Sequence, residues 1–387
     1  MAGTIKPRDA KELRQAVEWA LKGSVTFDVR GRGSKIALGK PMICDQVLDL
    51  SGITGIVDYA PEELVVTLRA GTSMHEVEVL LAQRNQMLAF EPPDLGPLLG
   101  NEAGEGTLVG AVMGNLAGPR RISAGAARDH LLGFSGVNGR GEAFKSGGKV
   151  MKNVTGYDLS KLLAGSWGTL AVLDEVSVKV LPAPDQTRTL VLRGLSDEAA
   201  VKAMCAAMGS SHEVSGAAHV DGRTALRLEG VAPSVEARLK GLRDLLADAG
   251  GAMEELGTLE SRTFWRDVRD VAPLSGADGA VVWKISCPPT DGAAVMARIK
   301  AERPAARSFY DWSGGLIWLA LPPSADADQA LVRGALGGGH ATLVRADEAV
   351  RRTVAVFQPQ SAALAALTAR VKESFDPKAV FNPGRVG

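Results

Sequence analysis

Cysteine is scarce. Cys44, Cys205 and Cys287 are the only three in 387 residues. They are far apart and odd in number, which excludes a disulfide-built secreted scaffold and leaves too few thiolates to hold an iron–sulfur cluster. Net charge is missing too: 44 Lys and Arg balance 44 Asp and Glu, so no field draws the surface towards nucleic acid or an anionic membrane. Long apolar runs are lacking, since no stretch approaches the roughly 18 residues a spanning helix needs. The opening Met1 to Arg8 has no apolar core of the signal-peptide kind. These absences predict a cytoplasmic protein without a membrane span, whose partners are small molecules or other proteins. Glycine, by contrast, is abundant. The 45 glycines gather at Gly31 to Gly39 and Gly96 to Gly168, where a backbone that must approach a ligand needs residues without side chains. With 45% hydrophobic residues, the chain is long and apolar enough for two packed cores.

Along the chain, Asp9 to Leu21 places Leu13, Ala16, Val17 and Ala20 at helical spacing and stops at Gly23. Val25 to Arg30 reads as a strand entering the turn Gly31 to Ser34. Leu48 to Leu50, Gly55 to Tyr59 and Glu63 to Ala70 read as strands, and Met74 to Gln83 as a helix capped by Ser73. From Glu91 to Gly148 the chain is loop-rich, which in a folded domain suggests service to a site. Asp158 to Leu163 reads as a helical turn and Leu170 to Val180 as a strand. Pro182, Ala183 and Pro184 mark a domain boundary.

Beyond it one pattern occurs twice. The first copy has a strand at Thr189 to Arg193, a helix at Ser196 to Met208, a hairpin turning at Asp221 and Gly222, a helix at Pro233 to Ala249 and a strand near Met253. The second has a strand at Gly279 to Ser286, a helix at Gly292 to Glu302, a hairpin at Ser313 to Gly315, a helix at Ala325 to Leu336 and a strand at Ala341 to Arg345. A duplicated βαββαβ unit predicts an antiparallel sheet with helices on one face. An amphipathic segment, Ala362 to Phe375, and an irregular tail close the chain.

The loop Arg30, Gly31, Arg32, Gly33, Ser34, Lys35 follows a strand. Its backbone amides can wrap a diphosphate while Arg30, Arg32 and Lys35 balance the charge. A plain tight turn is the rival reading. A Rossmann fingerprint fails, because Ile36 replaces the third glycine and Gly39 and Pro41 interrupt the helix that would follow. In Gly106 to Gly118 small residues alternate with apolar ones, which suits a buried backbone against a flat ring. His212 and His219 have six residues between them, a metal-ligand spacing, yet Glu213 to Ala218 lacks the Gly-Asp-Gly-Asn turn of metal-dependent hydroxy-acid dehydrogenases; no metal site is expected. Tyr157, Lys149, Lys152, Arg120 and Arg121 suit a small carboxylate or an oxygen of such a ring, and structural salt bridges explain them equally. Trp312 and Trp318 at the second hairpin read as core or interface, and His340 as an acid, a base or a packing residue.

On these motifs the chain resembles the FAD-binding E subunits of bacterial three-subunit glycolate oxidases, within the vanillyl-alcohol-oxidase (PCMH) type of FAD-linked oxidases. The matching residues are Gly31 to Lys35, Glu91 to Pro93, Leu116 to Arg121, Arg128 and Asp129. They continue with Gly147 to Val154, Gly156 to Leu159, Gly165, Ser166, Gly168 to Leu170, Gly338 to Thr342 and Phe381 to Arg385. The resemblance spans nearly the whole chain. It implies an α+β fold: a PCMH-type FAD-binding domain of two α+β subdomains over 1–182, a cap of two βαββαβ repeats over 183–355, and a C-terminal segment, 356–387, returning to the FAD site.

The resemblance also implies roles for residues. Gly31 to Ser34 hold the FAD pyrophosphate; Thr107, Gly110, Gly114 and Gly118 line the flavin ring and ribityl chain; Gly168 to Val172 contact the adenosine half; Asn382 reaches the ring. Val109 stands where the family often has glycine. No histidine lies in Gly31 to Gly33, so the FAD is expected to be non-covalent. The implied activity is oxidation of glycolate to glyoxylate in a complex with a FAD-containing catalytic subunit and an iron–sulfur subunit, with any membrane association made through a partner. The chain lacks an evident base and metal cluster, so catalysis is expected on the partner flavin subunit. A self-sufficient FAD-dependent 2-hydroxy-acid oxidoreductase and a structural subunit that has lost FAD are the other two readings.

Overall fold

The computed structural model of the chain describes residues 3–148, 157–276 and 279–386. The chain divides into two compact units. One comprises Met1–Ala117, Gly125–Ala183 and Pro359–Gly387; the other comprises Gly118–Ala124 and Pro184–Gln358. No helix among the described residues is long and apolar enough to cross a membrane.

The first unit holds two sheets of different kinds. Strands Gly3–Ile5, Gln46–Asp49 and Phe27–Arg30 form a parallel sheet with Gln46–Asp49 in the centre. The first helix, Ala10–Gly23, starts where Asp9 accepts a hydrogen bond from the Glu12 amide at 2.8 Å, and Ser24, at φ 51°, turns the chain out of it. Its Leu13, Ala16, Val17 and Ala20 are buried at i, i+3, i+4 and i+7. A five-stranded antiparallel sheet runs in the order Ile56–Ala60, Val65–Arg69, Ala171–Lys179, Leu131–Asn138 and Ala143–Gly147. The helix Met74–Ala82 follows Val65–Arg69, with Ser73 accepting from the Glu76 amide at 3.2 Å. Where the sequence suggests only close-set backbone at Gly106 to Gly118, Leu108–Met113 is a short helix capped by Thr107. Propensity hides it, because Gly110 and Gly114 disfavour helix, and it forms around the burial of Leu108, Val109 and Val112.

The chain's last residues return to this unit. Val380 accepts from the Phe27 amide at 2.7 Å, and the Asn382 amide donates to Phe27 at 2.9 Å. Phe27 and Phe381 are both fully buried, each worth roughly 2–3 kcal/mol of removal from water.

The second unit is built on one eight-stranded antiparallel sheet. Its order is Ala252–Leu256, Gln186–Arg193, Arg223–Gly230, Gly216–Val220, Arg307–Asp311, Leu316–Leu321, Val281–Ser286 and His340–Arg345. The first four strands are one repeat and the last four the other in mirrored order, joined through His219 opposite Tyr310. Leu190, Leu226, Trp283, Ile285, Ile317 and Leu343 pack with Met204, Leu239, Met296 and Val332 from the four repeat helices. The duplication expected from the sequence is therefore present, with one addition. The helix Thr258–Arg269 belongs to neither repeat and lies on the sheet's other face, where the Trp265 indole donates to Thr189 Oγ1 at 2.9 Å.

A buried ion pair ties Gly118–Ala124 to this unit. Arg120 donates twice to Glu229, at 2.8 and 2.6 Å, and Arg227 lies 3.6 Å from the same carboxylate. Burial alone would push the Glu229 carboxyl up; Arg227 and the Arg120 hydrogen bonds overcome it and hold the group at about 2. A carboxyl depressed by folding stabilises above its unfolded value of about 4.5 and loses that contribution as pH falls towards about 2. Glu229→Gln is therefore expected to destabilise the chain at neutral pH and to flatten the acid limb of its thermal stability between those two values, as read by calorimetry across pH.

Candidate functional site

In the first unit a cleft enclosing about 730 Å³ of space, open mouth included, lies over the end of the parallel sheet. It is lined by Asp28 to Ile36, Leu50, Ala70, Thr107, Val109, Gly110, Met113, Gly114, Trp167, Gly168, Asn382 and Arg385. The strand Phe27–Arg30 ends there and the chain turns sharply. Gly33 takes φ +84°, a conformation that L side chains rarely adopt. A side chain at Gly31 would put its Cβ 2.8 Å from Thr107 Oγ1, so the glycine permits contact between this loop and the Thr107 cap.

The three cations of the loop are not equivalent. Arg30 donates to Asp28 through Nε at 2.8 Å, and Arg32 pairs with Glu105 at 3.1 Å on the exposed rim. Lys35 has no ion pair among the described residues; its ammonium donates to Ser34 Oγ at 3.3 Å and lies close over Gly106 and Gly110. Burial pushes the Lys35 ammonium down, with the Asp94 charge opposing. Asp28 contributes the complementary feature: its Oδ1 is buried and has no hydrogen-bond partner among the described residues.

The tail closes the cleft from the other side. Asn382, at φ 44°, accepts from the Val29 amide at 2.7 Å and donates to the Trp167 carbonyl at 2.8 Å. Gly168 takes φ +69°, and a Cβ there would meet Asn382 Nδ2 at 2.9 Å. Arg385 donates to the Lys35 carbonyl at 2.9 Å. Behind Asn382, the fully buried Asp376 carboxylate accepts from the Val380 and Phe381 amides, both at 2.9 Å, and from Lys372 Nζ at 2.5 Å.

Of the residues singled out from the sequence, Arg30 to Lys35, Thr107, Gly110, Gly114, Gly168 and Asn382 all line this cleft. Two do not. Val172 is buried inside Ala171–Lys179, paired with Val137, and Gly118 belongs to the other unit, where its carbonyl accepts from the Trp312 indole at 3.0 Å. The Lys149 to Gly156 part of the second motif block lies outside the described residues, and Tyr157 beside it is 91% exposed. His219 is buried on the second unit's sheet, with Nδ1 2.8 Å from Thr224 Oγ1; the His212 ring packs against Gly241; His340 is exposed at the start of its strand. Asp28, Leu50, Ala70, Met113, Trp167 and Arg385 line the cleft without having been assigned a role from the sequence. The clue for Arg385 was its place in the terminal Phe381 to Arg385 motif.

Residues 1–147 match the family model described as an FAD binding domain. The chain is 36% identical over 378 residues to the glycolate oxidase subunit GlcE of Escherichia coli (strain K12), spanning 97% of both chains. It is 30% identical over 188 residues to the glycolate oxidase subunit GlcD of Bacillus subtilis (strain 168), covering 48% of this chain and 38% of that one. Among solved structures, p-cresol methylhydroxylase superposes with a TM-score of 0.77 at 12% identity, over 99% of this chain and 88% of that one, which is a likeness of fold. The family match, the sequence relatives and the fold together define an FAD-dependent oxidoreductase with a PCMH-type FAD-binding domain and an antiparallel-sheet cap. Within that class the chain belongs to the family of glycolate oxidase GlcE subunits.

Proposed function

We propose that this chain is the FAD-binding subunit of a glycolate oxidase (glycolate dehydrogenase) complex, holds FAD non-covalently in the first unit's cleft, and supports oxidation of glycolate to glyoxylate. Its partners would be a FAD-containing catalytic subunit and an iron–sulfur subunit. The domains would be 1–182 for FAD, 183–355 as the cap and 356–387 as the returning segment. The observation that carries this reading is the glycine cradle at Gly31 and Gly33, with the Lys35 ammonium beside it and in no ion pair among the described residues.

The cleft fits the cofactor in three respects. The loop amides and Lys35 suit the diphosphate. The Asp28 Oδ1, buried and without a partner among the described residues, suits a hydroxyl donor such as those of the ribityl chain. Gly110 and Gly114 leave room for a flat ring beside Thr107. When bound, FAD supplies hydride acceptance and onward electron transfer. The chain's own residues bind and orient: Asn382 fixes Val29 against Trp167, and Arg385 holds the carbonyl of Lys35.

None of the described residues lining the cleft is a histidine, cysteine or tyrosine, which supports non-covalent attachment. Acid precipitation of the purified chain is accordingly expected to release FAD, and not FMN, into the supernatant. A colourless protein would favour the structural-subunit reading, and a flavin retained by the pellet would contradict non-covalent binding. Steady turnover of glycolate by the isolated chain with an artificial acceptor would favour the self-sufficient enzyme.

A further inference from the structure

The helix Ala362–Phe375 is held to the first unit at its C-terminal turn. Val371 and Phe375 pack against that unit's core, and the Phe375 ring lies 6.2 Å from that of Phe144. Ahead of Val371 nothing covers the helix. Pro359 to Arg370 are all exposed, Leu364 at 49% and Leu367 at 54%. Leu364, Leu367, Val371 and Phe375 lie on one stripe, three or four residues apart. The fold uses its last two members and leaves the first two in water.

Helix propensity explains the five alanines between Ala362 and Ala369 but not the leucines, since lysine or glutamate would serve an exposed helix about as well. Charge is missing from the same stretch: no Asp, Glu, Lys or Arg occurs from Thr353 to Ala369, in a chain of which 23% is charged. A charged partner surface would lose its water there with no counter-charge in return, so the surface that fits is apolar and uncharged. A lipid surface fits poorly, because an interfacial helix carries Lys or Arg along its polar face and aromatic anchors on the other, and Ala362 to Ala369 has neither.

Area decides between a second copy and a different partner. The exposed turns form a rod about 13 Å long and about 10 Å across, with roughly 400 Å² of surface. A second copy laid along it would cover about a third of that on each chain, far below the roughly 800 Å² per partner of a stable pair. A groove that encloses the rod covers most of it and takes Leu364 and Leu367 as its anchors, in the manner of helix-in-groove recognition.

We propose that the first two turns of Ala362–Phe375 insert into an uncharged apolar groove of another subunit, as one anchor within the larger interface of a stable complex. The functional reading above supplies the partners for the test, the FAD-containing catalytic subunit and the iron–sulfur subunit.

The test is co-expression of the full-length chain with those two subunits, followed by native mass spectrometry and hydrogen exchange. Amides of residues 362–370 should exchange quickly in the isolated chain and become protected in the complex. Leu364→Glu combined with Leu367→Glu should weaken assembly about 30-fold or more, the scale of two half-buried leucines. The isolated variant should keep its flavin absorbance and a Tm within about 2 °C, because both side chains are exposed. Should it lose either, Leu364→Gln combined with Leu367→Gln, which adds no charge, and the exchange of the wild type decide the matter. Unchanged assembly of the variants, or equal exchange of 362–370 in the free and assembled chain, would overturn the proposal. So would a dimer of the isolated chain, or its sedimentation with phosphatidylglycerol–phosphatidylcholine vesicles, that the double variant abolishes; the helix would then belong to a second copy or to lipid. A wild type that does not assemble with the two subunits would overturn this surface and the complex together. A complex that assembles through the helix yet does not oxidise glycolate would count against the functional reading alone.

Discussion

Gly33→Asp is expected to yield a folded, colourless protein. The native φ of +84° costs a residue with a side chain about 1–2 kcal/mol, which a chain of this size survives. The charge matters more. A carboxylate about 4 Å from a phosphate is opposed by roughly 4 kcal/mol at the effective dielectric of a protein surface, or about 1000-fold in affinity. Gly33→Ala separates the two costs, since it keeps the strain and the contact of its Cβ with Ile36 at 3.3 Å while adding no charge. The alanine variant should remain yellow with weakened FAD affinity. Visible absorbance of the purified variants is the measurement, and undiminished flavin bands in Gly33→Asp would remove the diphosphate from this loop.

The same variant in the assembled complex distinguishes two roles for the cofactor. An intact but inactive complex would put this flavin on the electron path. A complex that loses subunits would make FAD here chiefly a structural element, and full activity with the cleft empty would reject both.

The second unit was legible from the sequence because each element is punctuated locally. The hairpins turn at Asp221–Gly222 and Ser313–Gly315, and the helices show clean apolar spacing, so both repeats emerge without long-range information. Thr258–Arg269 has the same signature, with Ser261, Phe264, Trp265 and Val268 buried; it breaks the repeat because it packs on the opposite face of the sheet. The short Leu108–Met113 helix could not be read locally, since its glycines argue against it and only burial in the core favours it.

For the cleft, the glycine pattern revealed where the backbone is bare but not how the charges are spent. Arg30 and Arg32 look like phosphate ligands until their partners Asp28 and Glu105 appear, one two residues back in the chain and the other far along it. Lys35 then stands out as the loop's one cation without an ion pair among the described residues. The same holds for the second unit: Arg120 and Arg121 are adjacent and indistinguishable in the sequence, yet Arg120 is tied to Glu229 and Arg121 stacks on Trp312.

Asp376→Ala is expected to release the C-terminal tail and the cofactor with it. The wild-type carboxylate caps the Val380 and Phe381 amides and pairs with Lys372, which also donates to the carbonyls of Thr169, at 2.5 Å, and Phe381, at 3.3 Å. Removing the carboxylate strands two buried amides and leaves Lys372, whose ammonium burial already pushes down, without its counter-charge. Breaking one side of such a buried pair costs about 3–5 kcal/mol, or roughly 10 °C in Tm for a domain of this size. Because Asn382 lies six residues further on and bridges Val29 to Trp167, FAD should dissociate before the chain unfolds. Flavin fluorescence would then rise at a lower temperature than the change in far-UV dichroism. Asp376→Asn combined with Lys372→Met keeps an acceptor for one of the two tail amides without a stranded charge, and should recover part of the lost Tm. Coincident flavin release and unfolding in Asp376→Ala, or no recovery in the double variant, would show that the Lys372–Asp376 pair stabilises the fold generally and does not position the tail.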